Sequence, residues 1–163
     1  MLLVTPPTVG LLLAGFRRGD TDFTALFDRL PFNDHLGIEL LSAEDGHAVG
    51  RLELEDVHSS DPETFVAHGG VTCALADTVG GAAAVSANLA VTPTADMRID
   101  YLAPATGGTL RAEADLVGDG DSVAAVEVDV TDDEGTVIAA ARGTYKTGGG
   151  EGASAWRSPL ESE

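Results

Sequence analysis

Positive charge is what this sequence has least of. Its 163 residues carry 9 Lys and Arg against 27 Asp and Glu, a formal net charge of −18. Lys146 is the single lysine. Phosphate backbones are gripped by basic footprints, so this balance argues against a nucleic-acid partner. The acids are spread along the chain and form no terminal tail, which makes them a solvated surface and not an interaction arm. In composition that surface resembles those of salt-adapted intracellular proteins. Cysteine is equally scarce. Cys73 stands alone, so no intramolecular disulfide can form. No CxxC and no zinc-type spacing occurs, and neither a metal nor a cofactor is expected. No apolar run is expected to reach membrane-spanning length, so no membrane partner is expected either. Residues 1–16 are apolar but are broken by Pro6 and Pro7, and Arg17 and Arg18 follow the apolar part. That is the reverse of the secretory order, which leaves a poorly ordered leader over 1–20 and a cytoplasmic location as the expectation. The length suits one domain with a substantial core.

What the sequence does have is one long stretch of helical period. From residue 68 it reads H-G-G-V-T-C-A-L-A-D-T-V-G-G-A-A-A. Val71, Leu75, Thr78, Val79, Ala82 and Val85 fall on one face of a 3.6-residue repeat. Gly70, Cys73, Ala74, Asp77, Gly80, Gly81 and Ala84 fall on the other. That second face is nearly all small, with one carboxylate in its middle. Helix interiors disfavour both Asp and Gly, so something must come close to it: a sheet, a second chain or a substrate. The helix start has its own chemistry. Its first amides lack carbonyl partners, and Gly69 and Gly70 leave them uncovered. The partial positive charge there suits an anion, or a carbonyl oxygen becoming one. The same pattern also fits a glycine turn into a buried helix, with His68 bonded to backbone. Cys73, on the small face, reads as a buried, inert thiol.

The rest of the chain alternates. Residues 21–30 read as a short amphipathic helix with Asp20 or Thr21 as N-cap, closed by Pro31. Residues 31–40 turn the chain. Strands are expected at 37–43, 47–55, 94–102, 109–117, 122–131 and 136–147, with turns at 44–46, 118–121 and 132–135. On 94–102, Ala95, Met97, Ile99 and Tyr101 share one side, and the Met97 and Tyr101 face reads as core that could also line an acyl pocket. Residues 56–67 form a loop, and residues 148–163, with Trp156, a flexible tail. His35, His47 and His58 read as solvated. Half-solvated strands joined by short turns make an antiparallel sheet. The one element available to cover its apolar face is the 68–88 helix. The expected fold is α+β, a sheet wrapped around one central helix within residues 21–147.

Four segments together resemble a known family. They are P-F-N-D-H-L-G-I-E-L at 31–40, H-G-G-V-T-C-A-L-A-D at 68–77, T-A-D-M-R-I-D-Y-L-A-P at 94–104 and D-D-E-G-T-V-I-A-A-A-R-G-T-Y at 132–145. They are similar to hotdog-fold acyl-CoA thioesterases of the phenylacetate-degradation type. The resemblance implies hydrolysis of an acyl-CoA by a homodimer, often paired into a homotetramer, with each site shared between subunits. It implies Asp77 as general base or nucleophile and Gly69 as the amide that polarises the thioester carbonyl. It implies His68 as the histidine ordering that neighbourhood and Thr94 as a hydroxyl holding the attacking water. Gly70 and Cys73, beside them, are the expected substrate contacts. One departure stands out. The family places an asparagine six residues before the histidine, and this chain has Pro62 there. A non-catalytic acyl-CoA-binding module and an enoyl-CoA hydratase of the same fold are the alternatives. Asp61-Pro62 is a poor match to the hydratase element.

Overall fold

The computed structural model describes residues 23–147. The leader, the Asp20 and Thr21 caps and the tail with Trp156 lie outside the described residues. The elements in order are α1 (Thr24–Phe27), α2 (Pro31–Leu36), β1 (Ile38–Glu44), β2 (His47–Glu53), a 3-10 turn (Asp56–His58), α3 (Gly69–Asn88), β3 (Thr94–Tyr101), β4 (Thr109–Asp119), β5 (Val123–Thr131) and β6 (Val137–Lys146). The sheet has six strands in the order β1-β2-β4-β5-β6-β3, and every neighbouring pair is antiparallel. The helix α3 packs on all six strands. The expected α+β architecture, a sheet wrapped around one helix, is what the chain adopts.

The amino-terminal part differs from expectation. The single helix expected over 21–30 is a four-residue turn, α1, and the expected turn after it is a second helix, α2. Pro31 explains both. Its ring cannot continue a helix, yet it suits the first turn of a new one, where the missing N–H costs nothing. Gly37 then ends α2 with φ 70°, the left-handed cap that favours glycine.

Small residues let α3 lie close to the sheet. Ala76, Ala82, Ala83 and Ala84 on the helix are fully buried, as are Ala48, Ala112, Ala114, Ala124 and Ala139 on the strands. Leu75 and Val79 are fully buried in one cluster with Leu52, Leu110, Val126 and Val130. One close approach is at Gly50. A Cβ there would sit 2.6 Å from Val79 Cγ2 and 3.1 Å from the Glu39 carbonyl oxygen. Neither neighbour can swing away, so Gly50→Val should lower stability by about 1–3 kcal/mol, the usual cost of overpacking. A lower urea midpoint with an unchanged m-value would show it; an unchanged midpoint would contradict the tight approach.

By length and composition alone α3 is apolar enough to cross a bilayer, contrary to the expectation that no run reaches that length. Its apolar character belongs to the core, since 61% of that window is buried in the fold. The acids lie on the solvent side of the sheet. Glu113 stands opposite Asp129, and Asp115 opposite Glu127. Such like-charge pairs oppose strand pairing. Two arginines offset them, Arg111 on Glu113 at 2.8 Å and Arg142 on Glu127 at 3.1 Å, and His47 Nδ1 lies 2.8 Å from Asp115 Oδ1. Of the three histidines read as solvated, His58 is buried. Its Nδ1 accepts the Glu55 N–H at 3.0 Å, closing the 3-10 turn.

β3 is an edge strand. Its inward side is only partly covered: Met97 and Ile99 are half-buried, and Tyr101 is exposed. Tyr101, expected with Met97 in the core and as candidate lining of an acyl pocket, is not in the core and lies over the start of α3. β3 also carries a register irregularity between Thr94 and Asp96. Strict alternation puts Thr94 on the solvent side with Asp96 and Arg98. The irregularity turns its side chain toward the helix.

Candidate active site

Two clusters form along the open face of α3. The first surrounds Asp77, which is half-buried two turns into the helix. Thr94 Oγ1 donates to Asp77 Oδ1 at 2.8 Å. Tyr145 OH lies 3.4 Å from the same Oδ1 and 3.3 Å from the Asp77 carbonyl oxygen. Thr94 and Tyr145 are direct cross-strand partners on β3 and β6, so the sheet sets both hydroxyls at one level. Asp77 Oδ2 has no hydrogen-bond partner among the described residues. Burial pushes the Tyr145 hydroxyl far above the ordinary tyrosine range, and the Asp77 charge adds to the shift. It therefore stays an O–H donor. Burial also raises the Cys73 thiol, with a further contribution from Asp77, so Cys73 is a neutral, half-buried thiol one turn before the carboxylate.

The second cluster is the start of α3. His68 is the N-cap, and its Nδ1 accepts the Gly70 N–H at 2.9 Å. A neutral imidazole accepting at Nδ1 carries its proton on Nε2. The Gly70 amide is thereby occupied, whereas the Gly69 amide has no partner among the described residues. The turn into a buried helix and the open amide thus coexist. Tyr101 lies across Gly69, donating to the Gly69 carbonyl oxygen at 2.8 Å, and a Cβ on Gly69 would meet its ring at 3.1 Å. Beside them is a cavity of about 400 Å³ lined by Gly69, Thr72, Tyr101, Leu102, Pro104 and Ile138, among others.

Two side chains beside Pro62 are already committed to backbone groups. Asp61 Oδ1 accepts the Glu63 and Thr64 N–H groups, both at 2.8 Å. Those two bonds, the Thr64 one foremost, hold its carboxyl below the usual range, so Asp61 is an acceptor only. Ser60 Oγ donates to the Val66 carbonyl oxygen at 3.0 Å.

The structure thus brings Thr94 to Asp77 and gathers His68, Gly69 and Gly70 at the helix start. Cys73 lies between the two groups along the helix. Eight residues separate Gly69 from Asp77, about 12 Å along a helix axis. Three participants escaped the sequence reading. Tyr145 is an inward residue on a strand and looks like any core aromatic. Asn33 is buried on α2, where its Nδ2 donates to the Phe27 carbonyl oxygen at 3.1 Å. Thr78 is half-buried, displaced from the core face it was assigned to, and donates to Asn33 Oδ1 at 3.3 Å.

Comparison with known proteins bears on the family and the fold. The profile of the thioesterase superfamily matches residues 66–139, the span from just before His68 to β6. A Halobacterium salinarum protein described as a candidate esterase is 32% identical over 146 residues, covering 78% of this chain and 94% of the relative. The Escherichia coli medium/long-chain acyl-CoA thioesterase YigI is 28% identical over 134 residues, covering 73% and 86%. The solved structure of Escherichia coli PaaI, from the phenylacetic acid degradation operon, is 27% identical with a TM-score of 0.70, covering 77% and 90%. With the wrapped helix, the carboxylate on its open face and the free amide at its start, this chain belongs to the thioesterase superfamily.

Proposed function

We propose that the protein hydrolyses an acyl-CoA thioester to a free acid and CoA. The observation that carries this is Asp77: a carboxylate on the open face of the core helix, anchored through one oxygen and free at the other. That free oxygen takes a proton from water as the water attacks the thioester carbonyl carbon. The carbonyl oxygen becomes an oxyanion at the Gly69 N–H, where the helix end favours negative charge. Collapse breaks the C–S bond, and the proton held by Asp77 passes to the departing CoA sulfur. Gly70 and Cys73 flank the thioester, and no cofactor takes part. The relative YigI, named as an acyl-CoA thioesterase, supports the substrate class.

One protomer cannot do this alone. About 12 Å along the helix is too far for one water and one carbonyl to bridge. Two helices running antiparallel about a two-fold axis place Asp77 of one chain against Gly69 of the other. The half-covered β3 edge and the small residues of the open face offer the surface for that contact. The active unit is a homodimer, alone or within a homotetramer. Sedimentation in molar salt should give dimer or tetramer; monomer alone at micromolar concentration would contradict it.

Pro62 bears on the rate. A missing carbonyl donor costs on the order of 100- to 1000-fold in turnover. His68, adjacent to Gly69 and bonded to the Gly70 N–H through Nδ1, is the side chain we assign to that missing donor, through Nε2. The decisive assay is thiol release from short, long and aromatic acyl-CoAs in high salt. Release well above the uncatalysed rate is expected for at least one of them. Saturable binding of acyl-CoA without release would support a binding module. Loss of the double bond of an unsaturated acyl-CoA, with no thiol released, would support a hydratase.

A further inference from the structure

We propose that Tyr145 is a positioning residue that fixes the plane of the Asp77 carboxylate, so that one oxygen faces away from the sheet to receive the water's proton. The inference rests on the hydrolytic reading above. Tyr145 is the largest fully buried side chain among the described residues, and the only partners of its hydroxyl there are the carbonyl oxygen and Oδ1 of Asp77. Space for it is made by two buried glycines on different elements. A Cβ on Gly143 would stand 2.6–2.8 Å from the ring and hydroxyl, and a Cβ on Gly80 would overlap the hydroxyl. Gly81, next in the chain, is looser, its Cβ position 3.6 Å from the ring. The slot therefore admits the aromatic ring to full depth at one place and delivers its hydroxyl to one carboxylate.

Two donors converge on Oδ1 from the sheet side: Thr94 Oγ1 from β3 and Tyr145 OH from β6. Turning the carboxylate out of this plane breaks both bonds, and a half-turn only exchanges two equivalent oxygens, so one oxygen always faces the sheet and the other faces away. Oδ2 is left as the single oxygen free to accept from water. Thr94 is on this account an anchor of the base and not the holder of the water. Burial keeps the Tyr145 proton in place, so the phenol remains a donor while Asp77 is ionised.

Tyr145→Phe keeps the ring and deletes only the hydroxyl. On the best acyl-CoA substrate kcat should fall roughly tenfold, the scale of one hydrogen bond to a charged group. KM and the melting temperature should stay close to those of the parent. Gly80→Ala retains Tyr145 but drives its hydroxyl off Oδ1, and the same loss in kcat is expected. It serves as the test if the Phe variant fails to fold. An unchanged kcat in a folded variant, or a raised KM with kcat kept, would overturn the proposal and leave Tyr145 as core filling. Asp77→Asn run alongside separates the two levels. If it is inactive while Tyr145→Phe turns over like the parent, only the positioning role falls. If Asp77→Asn is itself active, the hydrolytic reading falls first.

Discussion

Asp77→Asn should lower acyl-CoA hydrolysis by roughly 100-fold or more while the fold survives, the usual scale for a general base. The amide keeps the shape of the carboxylate. Its Oδ1 can still accept from Thr94 and Tyr145, so the melting temperature should move little. What disappears is the acceptor for a water proton, because the position of Oδ2 becomes an N–H₂ donor. Thr94→Ala should have a smaller effect, since it loosens the base without removing it. Steady-state kinetics on the best substrate decide the matter. Near-parental turnover of the Asn variant would make Asp77 a structural residue.

Gly69→Pro should lower kcat by roughly 100- to 1000-fold, the range for loss of one oxyanion donor. Proline is accepted at the first position of a helix, where it removes one orphan N–H and little else. Gly69 holds that position. His68 before it, with φ −61° and ψ 133°, already has the extended backbone that precedes proline well. The ring of Tyr101 must give by a few tenths of an ångström, because a Cβ on Gly69 meets it at 3.1 Å. Circular dichroism and thiol release together read the result. Intact helix content with intact turnover would show that the Gly69 amide does not polarise the carbonyl.

Where one repeat governs a segment, the sequence shows the structure plainly. The 3.6-residue period predicts α3, and alternation predicts all six strands, because in each case one face meets the core and the other meets water. Asp77 was legible for a related reason: a carboxylate has no local cause among small residues on a buried helix. Legibility fails where a single residue overrides the repeat. Pro31 restarts a helix where a turn was expected. The irregularity at Thr94 reverses the face that alternation assigns it. His58, read as solvated, is buried because its ring closes a turn. Tyr145 could not be picked out, since its partner is 68 residues away and its slot needs Gly80 and Gly143 brought together by the fold. A glycine in a strand two residues before a tyrosine, with glycines on the central helix, was the signal available.

The shared site is tested most directly by mixing two inactive variants. Asp77→Asn keeps the helix start and lacks the base; Gly69→Pro keeps the base and lacks the amide. When the two are unfolded together and refolded in equal amounts, half of the dimers are mixed. Each mixed dimer then holds one site with both defects and one with neither. The account predicts recovery of about a quarter of parental activity, as two-fold pairing requires. A site built within one chain has no intact copy in any mixture, so activity that stays at the level of the separate variants would contradict it.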